Sequence, residues 1–386
     1  MRFDARALGV TAAGFGCFLN LYSTQAILPE LARDFGVALP QTGLTVMAPL
    51  LAVALVAPFV GFLSDQRGRK VVITSALWLL VAPTALLALT SRFAQMVGLR
   101  FLQGLTLPFI FAVTVAYIGD EASDAENIRL AGIYSVGTIV GGFAGRFILG
   151  HLTAASGWRT GFLALAALTA VAGLVVMAAL PKERRFHPQF GLGNAFRNLG
   201  AHLSDRRLLA TYAAGFAVLF SIVAAFTFAN FLLAAPPYRF GPAALGNLFA
   251  VYLLAIVTTP LASRLAIRIG RRDTLLVAAL IGCLGMGLTL FPSIAAIIIG
   301  LALAIGGMFI EQVLAIGYVG VAARRARSTA VGLYVTAYYT GGSLGAVLPA
   351  GLWQRAGWPG CVGLVILVQA VMMGLVLAFW RQEQAI

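Results

Sequence analysis

The chain has 386 residues, of which 60% are hydrophobic and only 10% are charged, and its mean hydropathy is +0.93. A soluble domain carries roughly 25% charged residues. This composition excludes an ordinary globule, because too few polar side chains are present to cover its surface. The apolar runs reach the length of a spanning helix, unlike the alternating pattern of about 10 residues that is typical of membrane β-strands. We therefore predict an all-α membrane protein.

Twelve apolar segments are long enough to cross the hydrocarbon core as helices, which takes roughly 20 residues each. In the first half of the chain they lie at about 8–28, 41–62, 71–90, 94–118, 129–152 and 158–180. In the second half they lie at about 208–233, 243–263, 273–292, 294–320, 329–352 and 359–380. The longest polar connection, 181–207, separates the two sets.

The placement of lysine and arginine predicts the orientation, because cytoplasmic loops carry an excess of these residues. With a cytoplasmic N-terminus, 20 of the 27 fall in inner segments and 5 in outer segments. Both termini and the 181–207 connection are then cytoplasmic. The net charge of +14 is explained by this topology and by contact with anionic lipid at the cytoplasmic face, so we do not expect nucleic acid as a partner.

The two halves of the chain repeat each other at an offset of 200 residues. This pattern predicts two parallel repeats related by an axis along the membrane normal. The predicted division is an N-terminal six-helix bundle at 1–180, a cytoplasmic linker at 181–207 and a C-terminal six-helix bundle at 208–386. The repeated residues are Gly132, Tyr134, Gly141, Gly142, Gly145, Leu152, Gly157 and Trp158, which recur as Gly332, Tyr334, Gly341, Gly342, Gly345, Leu352, Gly357 and Trp358.

The loop between the second and third predicted helices combines glycines, one aspartate and a basic pair. It resembles the signature loop of the major facilitator superfamily, with Gln66 in place of a usual basic residue. In that family the loop is a latch that holds the two halves in the outward-facing arrangement. A degenerate copy lies 202 residues later, with Ile267 in place of the aspartate. The residues implied as the latch are Gly61, Asp65, Gly68, Arg69 and Lys70.

Two further motifs resemble the same family. The run from Arg100 to Gly104 in the fourth helix matches the family's second motif, arginine-x-x-glutamine-glycine. The glycine-rich run in the fifth helix is similar to the antiporter motif, with Gly142 in place of its proline and Arg146 in place of its last glycine. The resemblance covers essentially the whole chain and implies the major facilitator fold, with twelve transmembrane helices in two pseudo-symmetric six-helix bundles around a central cavity.

Polar and aromatic side chains at middle depth are candidates to line that cavity, because such transporters bind substrate near the midplane. Two other roles stay open, namely interhelical hydrogen bonding for the polar groups and snorkelling to the surface for the arginines. Tyrosines also serve as belt or packing residues. The predicted substrate-binding set is Asn20, Tyr22, Gln25, Arg100, Arg146, Tyr252, Gln312, Tyr338, Tyr339 and Gln369.

Glu311 is the one carboxylate that lies well inside a predicted span. Burial disfavours the charged form of a carboxylate. Such a group can take up a proton from one side and release it to the other, which is the minimum chemistry of proton coupling. Permanent pairing with an arginine, or a simple hydrogen bond to a neighbouring helix, are the alternatives. We predict Glu311 as the proton-coupling residue.

The sequence holds no Walker-type phosphate loop, and its three cysteines and three histidines are too scattered for a disulfide framework, a metal site or a catalytic triad. We therefore expect neither an enzyme nor a cofactor. Within the superfamily the chain looks most like the proton-coupled drug and metabolite efflux group. The predicted function is proton-coupled efflux of a small amphiphilic drug or metabolite by alternating access, performed by a monomer in the bacterial inner membrane. The alternative is proton-coupled uptake of a small organic anion, which Arg100 and Arg146 favour.

Overall fold

The computed structural model describes residues 4–60, 68–121, 124–183, 202–323 and 327–381. Within these ranges the regular secondary structure is entirely helical. Nine helical runs in the described part are long and apolar enough to cross a membrane, and the shorter helix Ala5–Leu21 is also apolar. The chain is an all-α, multi-pass membrane protein, which confirms the fold class that its composition predicts.

The described residues fall into two compact units. Unit 1 comprises residues 1–191 together with 240–249, and unit 2 comprises residues 192–239 and 250–386. Most of the predicted linker at 181–207 lies outside the described residues. The division of the chain at that linker therefore stays a prediction.

The described residues of unit 1 form eight α-helices. The predicted first span, 8–28, is a broken helix, because α1 ends at Leu21 and a 3-10 turn, Ser23–Ile27, leads into α2. The second predicted span is likewise assembled from 3-10 turns and α3. The helices are α1 (Ala5–Leu21), α2 (Leu28–Phe35), α3 (Leu44–Val56), α4 (Arg69–Leu87), α5 (Phe93–Glu121), α6 (Asp124–Ser156), α7 (Trp158–Ala179) and α9 (Pro242–Leu248).

The helical runs in the described part of unit 2 are α8 (Arg206–Ala234), α10 (Ala255–Ile269), α11 (Arg271–Leu288), α12 (Ile294–Ala322), α13 (Arg327–Gly345) and α14 (Ala350–Phe379). The eleventh predicted span, 329–352, ends earlier than expected, at Gly345. The run Ala350–Phe379 consists of two helices joined at a kink at Gly357, which has φ 60° and ψ −148°, so the twelfth span starts just after Gly357, close to the predicted 359. A glycine adopts this conformation readily, and Pro359 lies inside the second part.

The sequence repeat is reproduced in the packing of the first and fifth helices of each half. In unit 1 a methyl group added to Gly141 of α6 would lie 2.7 Å from the Cα of Phe15 in α1. In unit 2 a methyl group added to Gly341 of α13 would lie 2.8 Å from the Cα of Phe216 in α8. Small residues allow helix backbones to approach this closely in membrane proteins. The two glycine-to-backbone contacts are therefore equivalent, and they support two pseudo-symmetric bundles.

The helix starts also repeat. The carboxylate of Asp4 accepts the backbone N–H of Arg6 at 3.1 Å and caps α1, and Asp205 accepts that of Arg207 at 2.8 Å and caps α8. Side-chain caps of this kind satisfy N–H groups that have no partner within their own helix. The repeated caps and contacts place equivalent residues of the two halves in equivalent surroundings.

Candidate functional site

A fully buried guanidinium, that of Arg100 on α5, lies at the broken end of α1. Its Nη1 donates to the carbonyl oxygen of Asn20 at 2.7 Å, and its Nη2 donates to that of Leu21 at 2.6 Å. The carbonyl groups in the last turn of a helix have no regular intrahelical donor. Arg100 supplies donors to both carbonyl groups, that of Asn20 also accepts from Ser23 Oγ at 3.1 Å, and the positive charge of Arg100 lies at the negative end of the α1 dipole. It therefore stabilises the break in the first span.

The guanidinium of Arg100 also donates a hydrogen bond to a third carbonyl group. Its Nε donates to the carbonyl oxygen of Thr45 in α3 at 2.9 Å. Pro49 lies one turn later in α3, and it has no N–H to give to Thr45. Gly104, one turn beyond Arg100, packs on this proline, since a methyl group added there would lie 2.6 Å from the Cα of Pro49. The arginine-x-x-glutamine-glycine motif thus joins α5 to the broken end of α1 and to the part of α3 where Pro49 interrupts the backbone hydrogen bonding.

Asn20 is the centre of a side-chain network in unit 1. Its Nδ2 donates to Thr169 Oγ1 at 2.8 Å, and its Oδ1 accepts from Thr84 Oγ1 at 3.0 Å. Gln103 Nε2 donates to Thr84 Oγ1 at 2.7 Å, and Gln103 Oε1 accepts from Arg100 Nη1 at 2.6 Å. The network joins α1, α4, α5 and α7. Two predicted substrate ligands, Asn20 and Arg100, are therefore engaged by the protein itself.

Two other predicted ligands, Tyr22 and Gln25, lie around the buried guanidinium of Arg146, which is itself a predicted ligand. Its Nε and Nη2 both donate to Gln25 Oε1, at 2.9 and 2.8 Å, and its Nη1 donates to the carbonyl oxygen of Gly142 at 2.7 Å. Its Cζ lies 4.7 Å from the ring centroid of Tyr22 and 4.5 Å from that of Phe249. Cation–π attraction is enhanced when the cation is desolvated. Arg146 thus lies between two rings inside unit 1.

Glu311, on α12 of unit 2, has no accessible surface, and neither of its carboxylate oxygens has a hydrogen-bond partner among the described residues. Gln369 of α14 is a polar neighbour of this carboxylate. Two titratable side chains that interact with it are Cys283 of α11 and Tyr334 of α13. The next residue, Gln312, is only partly buried. Leaving a buried charge unpaired costs several kcal/mol, so this position favours a neutral carboxyl group.

A hydrogen bond in unit 2 repeats the one between Asn20 and Thr169. Gln369 Nε2 donates to Ser221 Oγ at 3.2 Å, and these two residues follow Thr169 and Asn20 by 200 and 201 positions. Sequence reasoning missed Thr169 and Ser221. Applying the repeat offset of 200 to Gln369 would have found Thr169, whereas Ser221 needs an offset of 201 from Asn20.

The predicted tyrosines of unit 2 form two aromatic groups. The ring of Tyr252 lies 4.7 Å from that of Phe226 and 5.7 Å from that of Phe309, both at steep angles. The rings of Tyr338 and Tyr339 are 5.3 Å apart and nearly perpendicular. Edge-to-face contacts of this kind stabilise aromatic pairs. Within the described ranges no cluster of metal-ligating side chains accompanies them.

The predicted latch is only partly described, because Gly61 and Asp65 lie outside the described residues. Arg69, at the start of α4, forms an ion pair with Asp120 of α5, with Nε 3.2 Å from Oδ2. The backbone N–H of Lys70 donates to Glu183 Oε2 at 3.4 Å. The acidic group lies at the positive end of α4, where the helix dipole favours it.

Ion pairs also join the start of α1 to the start of α6. Arg6 Nη1 lies 3.0 Å from Glu126 Oε1, and Asp4 pairs with Arg129. The hydrogen bond from Arg129 lowers the pKa of Asp4 below its ordinary value. Both pairs are partly exposed to solvent, so each contributes little to stability by itself.

The molecule is thus a polytopic helical protein made of repeated halves, with polar groups buried among apolar helices, which is the construction of a secondary transporter. The family model of the Major Facilitator Superfamily matches residues 10–239. The inner membrane transport protein YnfM of Escherichia coli (strain K12) is 32% identical over 378 residues, covering 97% of this chain and 90% of that protein. The chain belongs to the Major Facilitator Superfamily and is a membrane transporter.

Two further comparisons are informative. The chloramphenicol resistance protein CraA of Acinetobacter baumannii is 28% identical over 174 residues, which is 44% of this chain and 41% of that protein. The crystal structure of the human organic anion transporter MFSD10 superposes with a TM-score of 0.72 at 18% identity, covering 96% of this chain and 99% of that one. This likeness confirms the major facilitator fold that the motifs imply.

Proposed function

We propose that the protein is a proton-coupled exporter, an antiporter that moves a small amphiphilic drug or metabolite out through the bacterial inner membrane by alternating access. The observation that carries this proposal is Glu311. It is a fully buried carboxylate whose two oxygens have no hydrogen-bond partner among the described residues. A site that favours a neutral carboxyl group when closed, and a charged one when open to water, takes up and releases a proton in each cycle.

Glu311 also suits exchange of a proton for a substrate. Its neighbours Gln369, Cys283 and Tyr334 carry no permanent charge. No arginine or lysine in the described part of the chain lies within ion-pair distance of it. The charged carboxylate is therefore free to respond to a proton or to a cationic substrate. In this proposal Gln312, Tyr252, Tyr338 and Tyr339 contribute to substrate binding.

The direction of transport is proposed from two observations. One is the partial likeness to a chloramphenicol resistance protein. The other concerns the alternative, uptake of an organic anion, which depends on Arg100 and Arg146. Arg100 donates four hydrogen bonds to protein acceptors, and Arg146 donates to Gln25 and Gly142. Both cations are engaged within unit 1, which weakens the case for an anionic substrate.

The proposal includes a topology. Both termini and the 181–207 connection face the cytoplasm, the basic loops contact anionic lipid, and a monomer performs the transport. Single cysteines introduced near positions 190 and 235, in a variant lacking the three native cysteines, report it. We expect an impermeant reagent to label intact cells at 235 only, and labelling at 190 would refute the orientation.

Everted membrane vesicles test the coupling. With an acidic interior, we expect vesicles with the wild-type protein to accumulate labelled chloramphenicol or ethidium. Glu311→Gln resembles the protonated residue, so it should lose gradient-driven accumulation and keep exchange of substrate. Glu126→Gln, the same change at an ion-paired residue near the start of α6, is the matched control and should behave as wild type. Accumulation by Glu311→Gln with normal pH dependence would remove the coupling role from this residue.

A further inference from the structure

Three buried oxygen atoms in unit 2 are acceptors without a donor within the described ranges. They are the two carboxylate oxygens of Glu311 and Oε1 of Gln369. The amide nitrogen of Gln369 is already engaged, since it donates to Ser221 Oγ at 3.2 Å. The three side chains come from α12, α14 and α8, so three helices of unit 2 meet at a cluster that has more acceptors than donors.

A proton on Glu311 removes this imbalance. A charged carboxylate would leave all three oxygens without donors, which is unfavourable for buried acceptors. A neutral carboxyl group has one O–H donor, and the neighbouring side chain of Gln369 has an acceptor, Oε1, that lacks a donor among the described residues. A primary amide presents an acceptor on one side and donors on the other. The Gln369 amide can therefore hydrogen-bond to either form of the carboxyl group, provided that it rotates so that its oxygen and nitrogen exchange places.

We propose that Gln369 is a protonation-dependent relay between Glu311 and Ser221, an inference that rests on the proposed coupling role of Glu311. When Glu311 is neutral, its O–H donates to Gln369 Oε1, and Gln369 Nε2 donates to Ser221. When the proton leaves to water, in a conformation that exposes the carboxyl group, the amide turns so that Nε2 donates to the carboxylate. Ser221 then loses its donor, and its own hydroxyl donates to Gln369 Oε1. Gln369 is a positioning residue in this scheme.

The equivalent position in unit 1 has no such freedom. The bond from Asn20 to Thr169 occupies the same place in the repeat, but Asn20 Oδ1 already accepts from Thr84. Gln103 and Arg100 complete that network, and none of the five side chains is a carboxylate. The hydrogen bond between α1 and α7 in unit 1 is therefore fixed by its neighbours, whereas the equivalent bond between α8 and α14 in unit 2 can respond to a proton.

The surroundings of Glu311 leave the relay without a competing charge. Of the titratable groups on the packed helices, α11 contributes Cys283 and α13 contributes Tyr334. The helices α8 and α14 contribute Ser221 and Gln369. The helix α10 also packs against α12, but its two arginines, Arg264 and Arg268, are exposed. No basic side chain in the described part of unit 2 forms a salt bridge with Glu311. A change in the charge of Glu311 therefore acts first on the neighbouring amide of Gln369.

Infrared spectroscopy of the purified protein in lipid, without substrate, tests the relay over a pH series from mildly acidic to alkaline. We expect a carbonyl band of a protonated carboxyl group that is absent in Glu311→Gln. In Gln369→Met the carboxyl group loses its acceptor, so the band should move to higher frequency. Ser221→Ala should shift the pH at which the band disappears. Ser221→Thr keeps a hydroxyl group, so in this variant the band should disappear at the wild-type pH. Thr169→Ala, the matched change in unit 1, should leave the band unchanged.

The outcomes separate the relay from the proposed function. A band that depends on Glu311 but is unmoved in Gln369→Met overturns the relay and leaves proton coupling intact. A band that is absent in the wild type at every pH overturns both. If Gln369→Met does not fold, the Ser221→Ala and Ser221→Thr pair decides, because a band that titrates identically in wild type and Ser221→Ala contradicts the relay.

Discussion

The glycine contact between α1 and α6 makes a quantitative prediction for Gly141→Ala. The added methyl group would lie 2.7 Å from the Cα of Phe15 and closer still to its carbonyl oxygen, whereas ordinary contact begins at 3.4 Å. The two backbones must therefore separate by about 0.7 Å or more. Overpacking of this kind costs about 1–3 kcal/mol. We expect Gly141→Ala to be less stable by that amount than a matched alanine that meets no neighbour.

Gly132→Ala provides that match, because Gly132 is on the same helix and nothing lies within 4 Å of its added methyl group. Both variants gain about 1 kcal/mol of helix propensity from replacing glycine. The difference between them therefore isolates the clash. Since membrane proteins often unfold irreversibly, the comparison uses apparent Tm at one heating rate in one detergent. A destabilisation of 1 kcal/mol corresponds to about 2–4 °C for a unit of about 150–250 residues.

Equal thermal stability of Gly141→Ala and Gly132→Ala would refute the close approach of α1 and α6. A loss of stability in both would instead indicate that glycine is needed along the whole helix for its flexibility. Gly341→Ala repeats the test in unit 2, where the added methyl group would lie 2.8 Å from the Cα of Phe216. We expect a loss of the same size there, because the contact is pseudo-equivalent.

Three more perturbations have defined outcomes. Arg146→Lys removes the planar guanidinium that donates two hydrogen bonds to Gln25 Oε1. We expect this loss to cost about 1.5–3 kcal/mol and to lower the apparent Tm. An unchanged Tm would argue against the buried pairing. Asp65→Asn should shift the balance toward inward-facing roughly tenfold by removing a charge-assisted latch contact, and unchanged distances between spin labels on the two halves would contradict it. Since the pKa of Asp4 is lowered, it stabilises the fold above its unfolded pKa, so the Tm advantage over Asp4→Asn should vanish on acidification, and an advantage independent of pH would oppose this account.

The helices were predictable from sequence because the composition leaves no other way to satisfy the backbone in lipid. The family was predictable because the loop from Gly61 to Lys70 fixes residue types at several spacings. The break after Leu21 was not predictable, since no proline or glycine marks it. It depends on donors from Arg100, which lies 79 positions later. A local pattern carries no information about such a partner.

The candidate site divides in the same way. Glu311 stands out in the sequence because it is an isolated carboxylate within an apolar run. The absence of a hydrogen-bond partner for its carboxylate among the described residues depends on the neighbouring helices and becomes visible only in three dimensions. Arg100 shows the opposite case, since the sequence indicates a buried cation but cannot reveal that Thr45 lacks a donor because of Pro49. Depth along a helix is readable from sequence, whereas the facing residue on another helix is not.

The dependence of α1 on Arg100 has a consequence for biosynthesis. Arg100 is made 80 residues after Asn20, and at about 5–20 residues per second the delay is on the order of several seconds. Until α5 enters the membrane, the carbonyl oxygen of Leu21 lacks its donor from Arg100, and that of Asn20 relies on local donors such as the hydroxyl of Ser23. These groups must then be held near water or by the insertion machinery. The nascent first helix therefore acquires its final partner only when the fourth span has emerged from the ribosome.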